Sequence, residues 1–141
     1  MMELPASLQT EMFVKRGSVL LSDIFKSVGH PKFFVIVGMD EDCVVGFFYV
    51  NSDINRFVNR KDEQLKMQYP LFKRDYSFLT YDSFICATNI TKIPLRALEE
   101  SIASGRTRYK ASLKKEHMDA LLAKVRESRL FSKKEKEKYF Y

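Results

Sequence analysis

Apolar and polar positions along the chain predict short strands first and helices last. After the turn at Lys15-Arg16-Gly17, the stretch SVLLSDIF is β-rich and partly alternating, which predicts a strand near 18–24. A polar loop, KSVGHP, carries the turn formers Gly29 and Pro31. Five consecutive apolar residues, Phe33 to Val37, follow it, and the run to Met39 predicts a fully buried strand. Asp40-Glu41-Asp42 is acidic and turn-like, and Cys43 to Asn51 (CVVGFFYVN) predicts the returning strand of a hairpin.

Residues 52–75 change character. They are polar and charged, with KDEQLKMQ able to form about two helical turns, and they predict a long excursion over the surface. Tyr76 to Thr80 and Ser83 to Asn89 predict two more strands about the turn-prone Tyr81-Asp82. Pro94 suits the first turn of a short helix through about Ile102, Gly105 ends it, and Arg106 to Ala111 predicts a further strand. After Ser112, the residues Leu113, Met118, Leu121, Leu122 and Val125 recur at helical spacing, with Lys114, Lys115, Lys124 and Arg126 on the other faces. Ser132-Lys133-Lys134-Glu135 fits a capping box and opens a last helix carrying Tyr139, Phe140 and Tyr141. Those aromatics either dock back on the barrel or contact a partner, and docking is the expectation, because a cluster of exposed rings invites aggregation. The outline is α+β but mainly β: a small antiparallel barrel with helices added at its C-terminal end. A parallel crossover fold would need a helix between most strands.

Composition narrows this picture. The 141 residues suit one domain, and 45% hydrophobic with 30% charged residues suffices for a buried core. The longest apolar run is far too short to cross a membrane, and the N-terminus lacks a secretory pattern. Cys43 and Cys86 are too few and too far apart for a zinc site or a disulfide scaffold; they fit two buried thiols in a reducing cytoplasm. The net charge of +6 is unevenly placed. Residues 1–105 hold 12 Lys/Arg against 13 Asp/Glu, whereas residues 106–141 hold 12 against 5. The helical C-terminal segment 113–141 lies within this basic quarter. Such asymmetry fits a polyanion or an acidic protein partner, and equally a solvated helical face.

Three blocks resemble the MazF/PemK-like toxin family of type II toxin–antitoxin systems. The first is Lys15 to Asp23 (KRGSVLLSD), the second HPKFFVIVG followed by GFFYVNSDIN, and the third SFICATNITKI leading through Leu98 and Ala111-Ser112-Leu113 to the amphipathic helix. The similarity covers about residues 14–130 and rests on the order of elements more than on identities. It implies an SH3-like, half-open barrel of the plasmid-maintenance-toxin type. It also implies a homodimer, neutralisation by an antitoxin protein, and cleavage of single-stranded RNA, usually mRNA, with no cofactor and no metal. The family places an arginine just before the proline that opens its second strand; here His30 precedes Pro31 and Lys32 follows it. The family's hydroxyl residue at the end of the third strand matches Ser52.

Metal-free RNA cleavage needs a base for the 2′-hydroxyl, a proton for the leaving oxygen and a cation on the phosphorane. His30 has the proton affinity for acid or base work, Lys32 is the cation, and Ser52 can hydrogen-bond the phosphate. A lysine supplies a point charge where an arginine would supply a fork. Lys15, Arg16, Asn51, Arg106, Arg108 and Lys110 are the candidate RNA contacts, the last three alternating along one strand. Phe57, Tyr69 and Phe72 could stack on bases or pin the long loop to the barrel. His117 reads as a surface histidine. The competing classes are a non-catalytic RNA- or protein-binding module on the same barrel, and a gyrase-poison-type inhibitor.

Overall fold

The computed structural model describes residues 12–24, 32–50 and 67–141. They form a curled six-stranded antiparallel sheet, a half-barrel, with three helices. The strands are β1 (Ser18–Ser22), β2 (Lys32–Met39), β3 (Cys43–Val50), β4 (Gln68–Leu71), β5 (Ser83–Pro94) and β6 (Thr107–Ser112), in the sheet order β4-β5-β3-β2-β1-β6. The helices are α1 (Leu95–Ala103), α2 (Lys115–Glu127) and α3 (Lys133–Tyr139).

The apolar run of β2 is explained by cover on both faces. Phe34 and Ile36 join Leu20, Val44 and Ile93 beneath Leu98 and Ile102 of α1. Val35 and Val37 point the other way, into a larger cluster with Phe47, Ile85, Leu121, Val125, Phe131, Tyr139 and Phe140 beneath α2 and α3. A strand covered on one face would alternate with polar residues; β2 cannot.

Register shifts help curl the sheet. One lies between Ile36 and Gly38 on β2, one between Gly46 and Phe48 on β3, and one between Val19 and Leu20 on β1. Gly46 is required at its shift, because a Cβ there would collide with the Val35 carbonyl. Gly38 is required for another reason: its missing side chain makes room for the Tyr139 backbone of α3.

The β2–β3 hairpin, the capping box and the docked C-terminus follow the sequence reading. Ser132 Oγ accepts from the Glu135 amide at 3.1 Å, while Glu135 Oε1 accepts from the Ser132 amide at 3.0 Å. Tyr139 and Phe140 are buried, and Tyr141 remains 70% exposed.

Three expectations are corrected. Tyr76 to Thr80 is a turn, held by Tyr76 N–H to Lys73 carbonyl and Leu79 N–H to Tyr76 carbonyl, because Tyr76 turns inward. The additional strand lies earlier, as β4, inside the stretch read as a surface excursion; Met67, Gln68 and Leu71 are buried there. Leu113 is also buried, but it precedes α2 and donates its amide to the Gly17 carbonyl.

Candidate functional site

One end of the sheet gathers cationic side chains from separate segments. Lys32 opens β2 and lies in register with Ser22 at the end of β1, which in turn pairs with Thr107 at the start of β6. Ser22 Oγ meets Thr107 Oγ1 at 2.6 Å, and Thr107 Oγ1 meets Ser101 Oγ of α1 at 2.7 Å. Ser101 Oγ donates back along its helix, to the Leu98 carbonyl at 2.7 Å. This buried chain of hydroxyls ties three elements together beneath the surface. Thr107 is flanked by Arg106 and Arg108.

Arg106 owes its position to the end of α1. Gly105 takes φ +78°, and the amides of Gly105 and Arg106 return to the carbonyls of Ile102 and Ser101 at 3.1 and 2.9 Å. This is the Schellman closure that a glycine just past a helix permits. The Asp23 amide then bonds the Arg106 carbonyl at 3.3 Å, and Arg106 Nε donates to Asp23 Oδ1 at 2.9 Å. Arg108 is exposed and makes no ion pair among the described residues.

The expected alternation of Arg106, Arg108 and Lys110 is broken by the bulge. Leu20 pairs with Tyr109 and Val19 with Ala111, so Lys110 is the extra residue between them. It is exposed. Lys15 is exposed too, but it precedes the opposite end of β1, about 13 Å from Ser22 at the usual rise of about 3.3 Å per residue. Arg16 faces the C-terminus. Its Nε donates to the Val37 carbonyl at 2.9 Å, and its Nη2 to those of Tyr139 and Tyr141 at 2.9 and 3.1 Å. Burial, and then the nearby Arg126, hold its pKa below the ordinary arginine value. His30, Asn51, Ser52 and Phe57 lie outside the described residues. Tyr69 is half-buried against the larger core, and Phe72 is 39% exposed with Arg74 4.9 Å above its ring.

His117 is not the plain surface residue its neighbours suggest. It is half-buried, and its Nδ1 lies 2.5 Å from the hydroxyl of buried Tyr76. That hydroxyl also accepts from the Lys114 amide at 2.9 Å, so it joins the loop before the helix to the His117 ring. Burial pushes the Tyr76 hydroxyl pKa up, against the Lys114 amide, with Tyr69, Asp75 and Glu116 adding to the rise. The pair spans 41 residues, and no local pattern announces it.

A second anchor is Asp40. Its carboxylate accepts from the amides of Asp42 and Cys43 at 2.8 and 2.9 Å and from Tyr139 Oη at 3.0 Å, and Lys138 Nζ lies 3.4 Å away. Those two amides, opposed by desolvation and helped by Tyr139, hold its pKa well below the carboxylate range. The Cys43 thiol beside it is pushed up by burial and then by Asp40. Both cysteines are free and half-buried rather than fully buried. Among the described residues, no three His, Cys, Asp or Glu stand together as a metal-ligand group. No helix there is long and apolar enough to cross a membrane.

No protein-family model matches the chain, and no curated protein matches it.

Proposed function

We propose that the chain is an RNA-binding endoribonuclease of the MazF/PemK toxin type, acting on single-stranded RNA from the Lys32 end of its sheet. One observation carries the reading: the strand register brings Lys32, Arg106 and Arg108, from two stretches more than 70 residues apart, to one end of the sheet, Lys32 on the face of the buried hydroxyl row of Ser22, Thr107 and Ser101 and the two arginines on the other face. Cations fixed on strands and a helix end can aim at a phosphate without reorganising. In the proposed reaction the 2′-oxygen bonds to phosphorus and the bond to the 5′-oxygen breaks. His30 takes the 2′-hydroxyl proton, Lys32 stabilises the non-bridging oxygens, Ser52 hydrogen-bonds the phosphate, and the 5′-oxygen leaves with a proton from water. The products are a 2′,3′-cyclic phosphate and a 5′-hydroxyl. Arg108 and Lys110 supply the backbone contacts, which position the strand without reading its sequence. On the same reading the protein is a homodimer, and an antitoxin silences it.

The test is incubation of the purified protein with a long single-stranded RNA in EDTA, followed by mapping of new ends. Cuts that vanish in both His30→Ala and Lys32→Ala variants are the expected result. Cuts unchanged in these variants would overturn the residue assignment. Binding without cuts would leave the non-catalytic module, which the internal pairing of Arg106 with Asp23 favours. Expression without a protective partner is expected to slow bacterial growth.

A further inference from the structure

Between the end of β1 and the start of β6 lies a shallow pocket of about 270 Å³, lined by Leu21, Asp23, Gly105, Arg106 and Arg108. We propose that this pocket is a phosphate subsite in which Asp23 is a built-in competitor: a bound phosphate displaces the Asp23 carboxylate from Arg106 and is held between Arg106 and Arg108. The proposal rests on the RNA reading for its ligand, a phosphodiester of the bound single strand; its chemistry would equally suit a free phosphate.

Three features support it. First, the backbone of Arg106 is fixed at both ends, by the Schellman closure of α1 and by the Asp23 amide on its carbonyl. The Cα of Arg106 is therefore fixed beside the pocket while its side chain remains free to turn. Second, the partner it has is exchangeable. The side chains of Arg106 and Asp23 are 55% and 45% exposed, and a pair so open to water contributes little to stability. A phosphate presents the same paired oxygens to the guanidinium fork as the carboxylate it replaces, with comparable or greater charge. Third, Arg108 lines the same pocket with no carboxylate within ion-pair distance among the described residues. With Arg106 neutralised by Asp23, the pocket carries one uncompensated charge; with Asp23 displaced, it offers two arginines to one anion. Asp23 thus sets a threshold: an isolated, weakly bound anion leaves the internal pair intact, and a phosphodiester held by further contacts along the strand replaces it.

The experiment is fluorescence anisotropy of a labelled single-stranded RNA in EDTA over a salt series, with wild type, Asp23→Asn, Arg106→Gln, Arg108→Ala and the Asp23→Asn/Arg106→Gln double variant. Each variant's fold is first checked by its urea midpoint. The expected result is Asp23→Asn binding about 3- to 10-fold tighter, and Arg108→Ala weaker by a similar factor with a salt slope flatter by about 0.7, the share of one contact to a single strand. A mere change of net charge would make Asp23→Asn tighter with or without Arg106. Competition for Arg106 predicts that the gain disappears in the double variant. If wild type binds RNA but the gain survives there, or Arg108→Ala binds unchanged, the subsite is overturned and the RNA reading stands. If wild type binds no RNA, that reading falls, and the subsite is decided by titrating inorganic phosphate while following the arginine Nε–H signals by NMR. Shifts of Arg106 and Arg108 that strengthen in Asp23→Asn support it as a free-phosphate site, and their absence overturns it.

Discussion

The two ends of β2 use the same residue types for opposite purposes. At the Asp40 end, charge is turned inward. Asp40 collects two amides, a tyrosine hydroxyl and a lysine, Arg16 donates to three carbonyls, and Arg126 donates to the Phe140 carbonyl while lying 4.7 Å over the Tyr141 ring. At the Lys32 end, a hydroxyl row is buried, Lys32 is half-buried, Arg108 stays at the surface, and Arg106 is paired with a single exposed carboxylate. The difference is where the chain's C-terminus packs. The end it covers is locked by its own charged groups; the other keeps its arginines at the surface. A cation's sequence neighbourhood does not reveal which use it has.

The sharpest way to break the locked end is to remove what it holds down. Phe140 is fully buried against Phe47 and Phe131, at centroid distances of 6.3 and 5.2 Å. Phe140→Ala is expected to cost about 3–5 kcal/mol, read from urea unfolding. RNA cleavage per folded molecule should not change; loss of cleavage with the fold intact would show that the two ends are not independent. Gly38→Ala attacks the same seam by pressing a methyl into the Tyr139 backbone, and about 2–3 kcal/mol is expected, since backbone gives way less readily than a side-chain tip.

Arg16 is next. Removing it strands carbonyls of Val37, Tyr139 and Tyr141 that it satisfies with charge-assisted bonds, so Arg16→Ala should cost about 2 kcal/mol. Arg16→Lys should rescue little of this, because a single ammonium cannot span acceptors on β2 and beyond α3 at once. Full rescue would mean that charge, and not the fork, does the holding.

Asp40 gives this end a pH signature. Its folded pKa is depressed, so its stabilisation is present above the unfolded carboxylate value of about 3.9 and is lost as pH falls through the lower folded value. Wild type should therefore exceed Asp40→Asn in urea midpoint at pH 7, with the gap closing only below about pH 4. A gap that stayed constant down to pH 2 would assign the effect to packing.

How much of this was legible beforehand follows from the range of the signals. The β2–β3 hairpin, the end of α1 at Gly105 and the capping box at Ser132 are written within a few residues, and local chemistry decides them. The strand expected at Tyr76 failed because its β-prone composition is overruled by contacts to Lys114 and His117, 38 and 41 residues away. Arg16 reads as a basic turn residue beside Lys15; only the packed α3 shows that its donors are engaged 123 residues on. The bulge that removes Lys110 from the alternation of β6 is likewise a property of pairing with β1. That Lys32 and Arg106 reach the same end of the sheet is a matter of register, which no single stretch encodes.

The smallest effects on stability are expected at the open end, and there they are most informative. Arg108→Ala should cost no more than about 0.5 kcal/mol in urea unfolding, because an exposed charge contributes little to folding, and Lys32→Ala about 1 kcal/mol, because Lys32 is half-buried. Yet the proposed roles differ, and so should the functional losses. If Lys32 stabilises the phosphorane, its removal lowers the cleavage rate far more than the affinity, since an interaction strengthened in the transition state appears in the rate. Arg108, as a backbone contact, should act through affinity and salt slope, with cleavage at saturating RNA unchanged. Single-turnover cleavage beside anisotropy on the same RNA separates the two. Equal losses of rate and affinity from both variants would mean that this end of the sheet binds a strand whose chemistry happens elsewhere.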